Sequence, residues 1–276
     1  METKDYKRRE VMETENRWKD KKMEVSECAD FNGTWQWLRK CDLKPETDAL
    51  LCVAQEQALR TNYTKCKIDK TIESPLCRLC KEKGESVYHI VSECKVLAQR
   101  EYKRRHDKIA QFIHWELCGK FRMERASNWY EHKPEGVVEN DVVKILRDFM
   151  IQCDRVVEHR KPDIVVVEKS EKSCFVIDVA VPGDARVETK EKEKVEKYQE
   201  LKQEIIRLWG MKKVEVIPIL VGALGAVSMR ISEWIKRADV KLKIEHLQKT
   251  ALLGTARILR RHLSIPILYI YQLSVM

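Results

Sequence analysis

The sequence predicts an α/β domain with a mixed central sheet flanked by helices, preceded by a helical segment, and three observations carry that expectation. Two β-branched runs, Ile164–Val167 and Phe175–Val179, are joined by a charged turn and read as neighbouring strands forming a hairpin. The stretch Val187 to Trp209 places Val195, Tyr198, Leu201, Ile205 and Leu208 at helical spacing, so that one face packs on the sheet. A further apolar run, Val214–Val221, is a third or fourth strand, with Pro218 suited to an edge or a bulge. Strands alternating with helices in the C-terminal half define the class.

The remaining elements follow in chain order. Residues 1–33 are dominated by charge and form a solvated or disordered leader to which no function is assigned. Trp35 and Trp37 read as core aromatics in preference to a base-stacking platform. A helix is expected from Asp48 to about Arg60, with Leu50, Leu51, Val53, Ala54 and Ala58 on its apolar face. Another carries the stripe Ile109, Phe112, Ile113 and Leu117, and its His106 and His114 read as surface or core residues with no catalytic part. Trp129, Tyr130, Pro134 and Gly136 mark a loop, and a domain boundary is placed at 136. Beyond it, a helix is expected over 137–146 and an extended run over 149–157. Gly222 to Gly225 lacks the pattern of a phosphate-binding loop and reads as close packing at a strand end. A last helix runs from about Lys243 to Leu263. The apolar tail, 265–276, is too short to span a bilayer.

The chain has 276 residues, 53 of them basic and 44 acidic, for a net charge of +9. Most of these charges are interspersed. The excess is local, in Arg100, Lys103, Arg104 and Arg105 and again in Arg257, Arg260 and Arg261, and such patches suit a phosphate backbone. The charged N-terminus lacks the apolar segment of a secretory signal, so the ten cysteines are expected as thiols in a reducing nuclear or cytoplasmic compartment.

Four of those cysteine and histidine side chains have ligand spacing. Cys77, Cys80, His89 and Cys94 form a C-x2-C-x8-H-x4-C array, a thiolate and imidazole set suited to tetrahedral Zn²⁺. Four protein ligands leave no open position for water, so this zinc is expected to be structural. The other cysteines show no such spacing and read as small buried residues or idle thiols.

The second constellation is acidic. Asp163 opens the first strand of the hairpin and Asp178 lies within the second, fourteen residues intervening, so strand pairing can bring their carboxylates together. Neighbouring carboxylates repel unless a cation lies between them. Carboxylate oxygens suit Mg²⁺ or Mn²⁺. Lys194, Lys197 and Tyr198 stand at i, i+3 and i+4 on one side of the following helix. Paired acids, a divalent metal and a nearby amine are the apparatus of metal-assisted phosphodiester hydrolysis.

Lys161-Pro162-Asp163, the Ile177-Asp178-Val179 strand and the Glu193 to Tyr198 helix resemble the PD-(D/E)xK nuclease domain of non-LTR retrotransposons with a restriction-like endonuclease. The Cys77 to Cys94 array is similar to that family's CCHC zinc knuckle, which lies between polymerase and nuclease and helps bind nucleic acid. The resemblance covers roughly residues 34–264. It implies a restriction-like nuclease core at 137–264, behind a helical connector at 34–136 that carries the knuckle. It further implies that Asp163 and Asp178 hold the catalytic Mg²⁺ or Mn²⁺, and that the lysine is displaced from the second strand, where Ala180 stands, to the next helix. Lys194 is then the first choice for the amine, with Lys197 and Tyr198 as catalytic alternatives. Asp148 or Glu158 would be a third acid, neither fixed by the motif. The implied partner is DNA, nicked to prime reverse transcription, with RNA and a separate reverse transcriptase as further partners and no membrane. No Asp-Asp polymerase signature occurs, so the chain is expected to be a C-terminal retroelement piece or its derivative. The rival expectation is a non-catalytic nucleic-acid-binding remnant or a partner of a reverse transcriptase.

Overall fold

The computed structural model describes residues 30–265. Nearly all of the charged leader, and the apolar tail from 266, fall outside the described residues. Five strands, β1 (Val137–Glu139), β2 (Val143–Arg147), β3 (Ile164–Glu168), β4 (Ser173–Ala180) and β5 (Lys213–Leu220), form one sheet in the order β1-β2-β3-β4-β5. The first four pair antiparallel, while β5 joins β4 in parallel, so the sheet is mixed. The expected hairpin is β3–β4, with Ile164 opposite Ile177. Pro218 lies in β5 at the edge of the sheet, where a missing N–H is tolerated.

Two expectations fail between 137 and 157. The segment 137–146 forms the β1–β2 hairpin instead of a helix. Its turn is fixed by Asn140, whose side-chain oxygen accepts the backbone N–H groups of Val142 and Val143, both at 2.9 Å. This Asx turn, with β-branched residues on either side, outweighs helical propensity once β3 offers a partner strand. The stretch 149–157 joins no strand. Phe149, Met150 and Val156 are exposed, and only Ile151 and Val157 are buried.

The helices are α1 (Phe31–Thr34), α2 (Gln36–Lys40), α3 (Pro45–Gln55), α4 (Asn62–Lys67), α5 (Lys103–Lys120), α6 (Val187–Lys197), α7 (Gln199–Trp209), α8 (Ile231–Arg237) and α9 (Ile244–Leu263), with irregular helical turns between His89 and Tyr102. Helix α3 begins at Pro45, whose missing N–H costs nothing in a first turn, and ends before the expected Arg60. The single helix expected over 187–209 is two, divided at Tyr198.

The sheet is covered on both faces. Ile164, Val166, Ile177, Val179 and Ile219 pack with Ile109, Phe112 and Ile113 of α5 and Trp234 of α8. On the opposite face, Val165, Val176 and Val216 pack with Tyr198, Leu201 and Ile205. A third cluster joins Trp35, Trp37, Leu50 and Leu51 to Ile90, Val91, Cys94 and to Leu252 and Leu259 of α9, so both tryptophans are core residues. Each such aliphatic side chain contributes about 1.5–3 kcal/mol by leaving water. These clusters cross residue 136, so the connector and the α/β region share a core. At Gly222, a Cβ would run into the Asp184 carboxylate, which accepts the Leu224 N–H at 2.9 Å; this is the close packing expected at that strand end. Among the described residues, no helix is long and apolar enough to cross a membrane.

Candidate functional site

Two groups of residues singled out in the sequence are brought together by this fold. At the first, the chain after Leu76 turns back through a bridge between Leu76 and Gly84, which brings Cys77 and Cys80 toward the helical turn beginning at His89. The ligating atoms of Cys77, Cys80, His89 and Cys94 lie within 4.8 Å of one another, so the group can hold a metal ion. Cys77 and Cys94 Sγ are 4.0 Å apart, and Cys80 Sγ is 3.3 Å from His89 Nε2. Soft thiolates with one imidazole suit Zn²⁺. Tyr102 braces this turn: its hydroxyl donates to the Ile90 carbonyl at 2.6 Å and accepts the Cys94 N–H at 3.1 Å. Arg105, almost wholly buried, ties the turn to the rest of the molecule. Its guanidinium donates to Val91 O at 2.9 Å, Val181 O at 3.3 Å and Thr255 Oγ1 at 2.8 Å.

The second site is at the end of the β3–β4 hairpin. The register continued by one residue sets Asp163 opposite Asp178. Asp163 accepts the backbone N–H of Val179 on Oδ2 at 2.7 Å. Asp178 is 2% exposed in the middle of a buried strand, and its charge is met from the helices. Lys194 Nζ reaches Asp178 Oδ2 at 2.5 Å, an ion pair without the angle of a hydrogen bond. Tyr198 donates its hydroxyl to Asp178 Oδ1 at 2.6 Å and accepts a hydrogen bond from Lys197 at 2.9 Å. The helical break at Tyr198 puts the phenol beneath the strand, where burial and then the Asp178 charge hold its pKa far above the ordinary value. Lys194, Lys197 and Tyr198 are thus all brought to the acidic pair, Lys194 directly and Lys197 through the tyrosine.

One participant was not expected. His106 of α5 places Nε2 3.0 Å from Asp163 Oδ2, while its Nδ1 is 3.2 Å from Asp107 Oδ1. Burial pushes the imidazole pKa down, but the hydrogen bond and charge of Asp163, and then those of Asp107, raise it to about 9. Burial likewise pushes Asp163 up, and His106, the Val179 amide and Lys194 bring it below the ordinary carboxylate value. Nothing local in the sequence marks this meeting, because the contact spans 57 positions. The optional third acids are not gathered in. Asp148 pairs with Lys161 at 3.4 Å, although its backbone N–H does bond Asp163 O, and the Glu158 side chain is exposed.

Beside this site a shallow cleft of about 400 Å³ is lined by Arg100, Lys103, Arg104, Lys108 and Arg147, with Asp107 at the point where it meets His106. Its excess of positive charge favours an anion. No protein-family model matches the chain, and no curated protein matches it.

Proposed function

We propose that this chain is a metal-dependent DNA endonuclease of the restriction-like type carried by non-LTR retrotransposons, with Asp163, Asp178 and Lys194 as its catalytic residues. The observation that carries the reading is the juxtaposition at one hairpin end of two carboxylates, an ammonium 2.5 Å from one of them and a basic cleft alongside. The donors suit a hard cation: among the described residues both side-chain hydrogen bonds to Asp163 fall on Oδ2, and Asp178 Oδ2 is engaged by an ion pair alone. Mg²⁺ or Mn²⁺ held there by Asp163 and Asp178 would lower the pKa of water and offset phosphate charge.

The chain's own groups do the rest. The Val179 amide fixes the Asp163 carboxylate, and Tyr198 fixes that of Asp178. Lys194 supplies a positive charge at the position where an anionic phosphate would enter, and Lys197 reinforces it through the tyrosine hydroxyl. Arg100, Lys103, Arg104 and Arg147 hold the nucleic-acid backbone with no demand on sequence. The Cys77 to Cys94 set, loaded with Zn²⁺, anchors the connector from which α5 delivers His106.

Nicking of supercoiled plasmid in Mg²⁺ tests the reading. The wild-type chain is expected to nick, and Asp163→Ala and Asp178→Ala to lose at least about 10²-fold in rate. Salt-sensitive DNA binding without nicking would overturn the enzyme in favour of a nucleic-acid-binding remnant; nicking only with an added reverse transcriptase would instead make that protein a required partner.

A further inference from the structure

We propose that His114, Cys118 and His132 form a second metal site, separate from the Cys77 to Cys94 set, that takes one Zn²⁺ and pins the loop before β1 to helix α5. His114 and Cys118 stand at i and i+4 on α5, so their side chains share one face. The loop over 121–136 brings in His132. Its position is fixed by Gln111, whose side-chain amide donates to the carbonyls of His132 and Trp129. All three ligand atoms lie within 4.8 Å of one another, and exposures of 0%, 0% and 6% show that no part of the cluster is a casual surface contact.

The contacts converge on a single atom. His114 Nδ1 is 2.8 Å from His132 Nε2 and 3.5 Å from Cys118 Sγ. The other nitrogen of His114, Nε2, is buried with no hydrogen-bond partner among the described residues. An imidazole nitrogen offers either one proton or one lone pair, so Nδ1 serves one of its two neighbours well and the other poorly. A cation lying between the three atoms takes a lone pair from each, the Cys118 thiol releasing its proton to solvent as the metal binds.

The separations fit zinc. With Zn–S of about 2.3 Å and Zn–N of about 2.0–2.1 Å, a tetrahedral angle sets sulfur and nitrogen about 3.5 Å apart and two nitrogens about 3.3 Å apart. The Cys118 to His114 distance already has the first value, and the corresponding Cys80 to His89 distance at the knuckle is 3.3 Å. The two imidazoles need to part by about 0.5 Å, a side-chain adjustment. One thiolate with two imidazoles selects Zn²⁺ over Mg²⁺ or Ca²⁺, which prefer oxygen. Among the described residues no further Cys, His, Asp or Glu joins the cluster, so the chain supplies three ligands. The site ties the loop that leads into β1 to the helix that carries His106, which links it to the geometry of the acidic pair without depending on the activity proposed for that pair.

The test is metal content by mass spectrometry on the full, tag-free chain prepared with Zn²⁺ and dialysed. Two zinc ions per chain are expected for the wild type, falling to one in Cys118→Ser and in His132→Gln, and to one in Cys77→Ser with Cys80→Ser. A single zinc in the wild type, or two retained in either Cys118→Ser or His132→Gln, would overturn the proposal. Where a variant does not fold, the wild type reloaded with Co²⁺ decides. Thiolate-to-cobalt absorption corresponding to four thiolates over two ions supports the site, and three thiolates over one ion overturns it.

Discussion

Replacing His106 by glutamine should remove a pH dependence of stability that the wild type carries between about pH 6.5 and 9. Its folded-state pKa of about 9 lies above the ordinary value near 6.5, because Asp163 at 3.0 Å and Asp107 at 3.2 Å outweigh burial. A raised folded value means that the native state binds the proton more tightly than the unfolded chain does. The stabilisation is therefore complete below about pH 6.5 and is lost as pH rises through about 9. At about 1.4 kcal/mol per pH unit that interval corresponds to about 3 kcal/mol, reduced to about 2 kcal/mol because the imidazole side chain is 28% exposed and partly screened. The quantity to measure is thus the difference between wild type and His106→Gln in urea unfolding free energy, followed from pH 6 to pH 10 without added Mg²⁺. A difference near 2 kcal/mol at pH 6 that vanishes by pH 10 is expected. A difference independent of pH would show that the imidazole does not carry charge against Asp163, and the reasoning would fail.

Other perturbations have definite expectations. Tyr198→Phe leaves Asp178 Oδ1 buried without its 2.6 Å donor and should cost about 1.5–3 kcal/mol in urea unfolding; an unchanged midpoint would mean that the bond contributes nothing. Lys194→Met removes the cation from a carboxylate 2% exposed and should cost about 3 kcal/mol, most of it recovered in the double variant with Asp178→Asn; strict additivity of the two changes would remove the pair from the account. Arg105→Lys gives up a guanidinium that serves Val91, Val181 and Thr255 together, and a loss of about 2 kcal/mol by thermal or urea unfolding is expected, against none if one ammonium suffices. Stripping zinc with a strong chelator should lower the thermal midpoint and expose the packing around Ile90, Val91 and Cys94, seen as loss of near-ultraviolet dichroism; a chelator-insensitive midpoint would separate the knuckle from the core.

Much of the architecture was legible because hydrophobic period reports local structure directly. The runs around Val165 and Val176 have strand composition and became β3 and β4, and the stripe on α5 packs as expected. The β1–β2 hairpin was misread because Val137 to Leu146 is short, and its strand character comes from the Asn140 turn and from β3, whose paired residues lie 17 to 25 positions further on. The Cys and His array at Cys77 to Cys94 lies within eighteen positions, so its spacing was visible. His114, Cys118 and His132 lack such a spacing, since the last ligand arrives on a loop whose path is set by Gln111 and by Trp129 packed edge-on to Phe112.

The sequence by itself determined which residues carry reactive groups, where soft and hard ligands are concentrated and which segments could pair or coil, because these depend on residue type and on neighbours a few positions away. Only the tertiary structure decided which charges meet. Lys194 rather than Lys197 touches Asp178, His106 lies against Asp163, and Arg105 joins the turn at Val91 to Val181, just after β4, and to α9. Such encounters are fixed by packing two faces of a sheet against helices distant in the chain, and their energies depend on the burial that this packing creates.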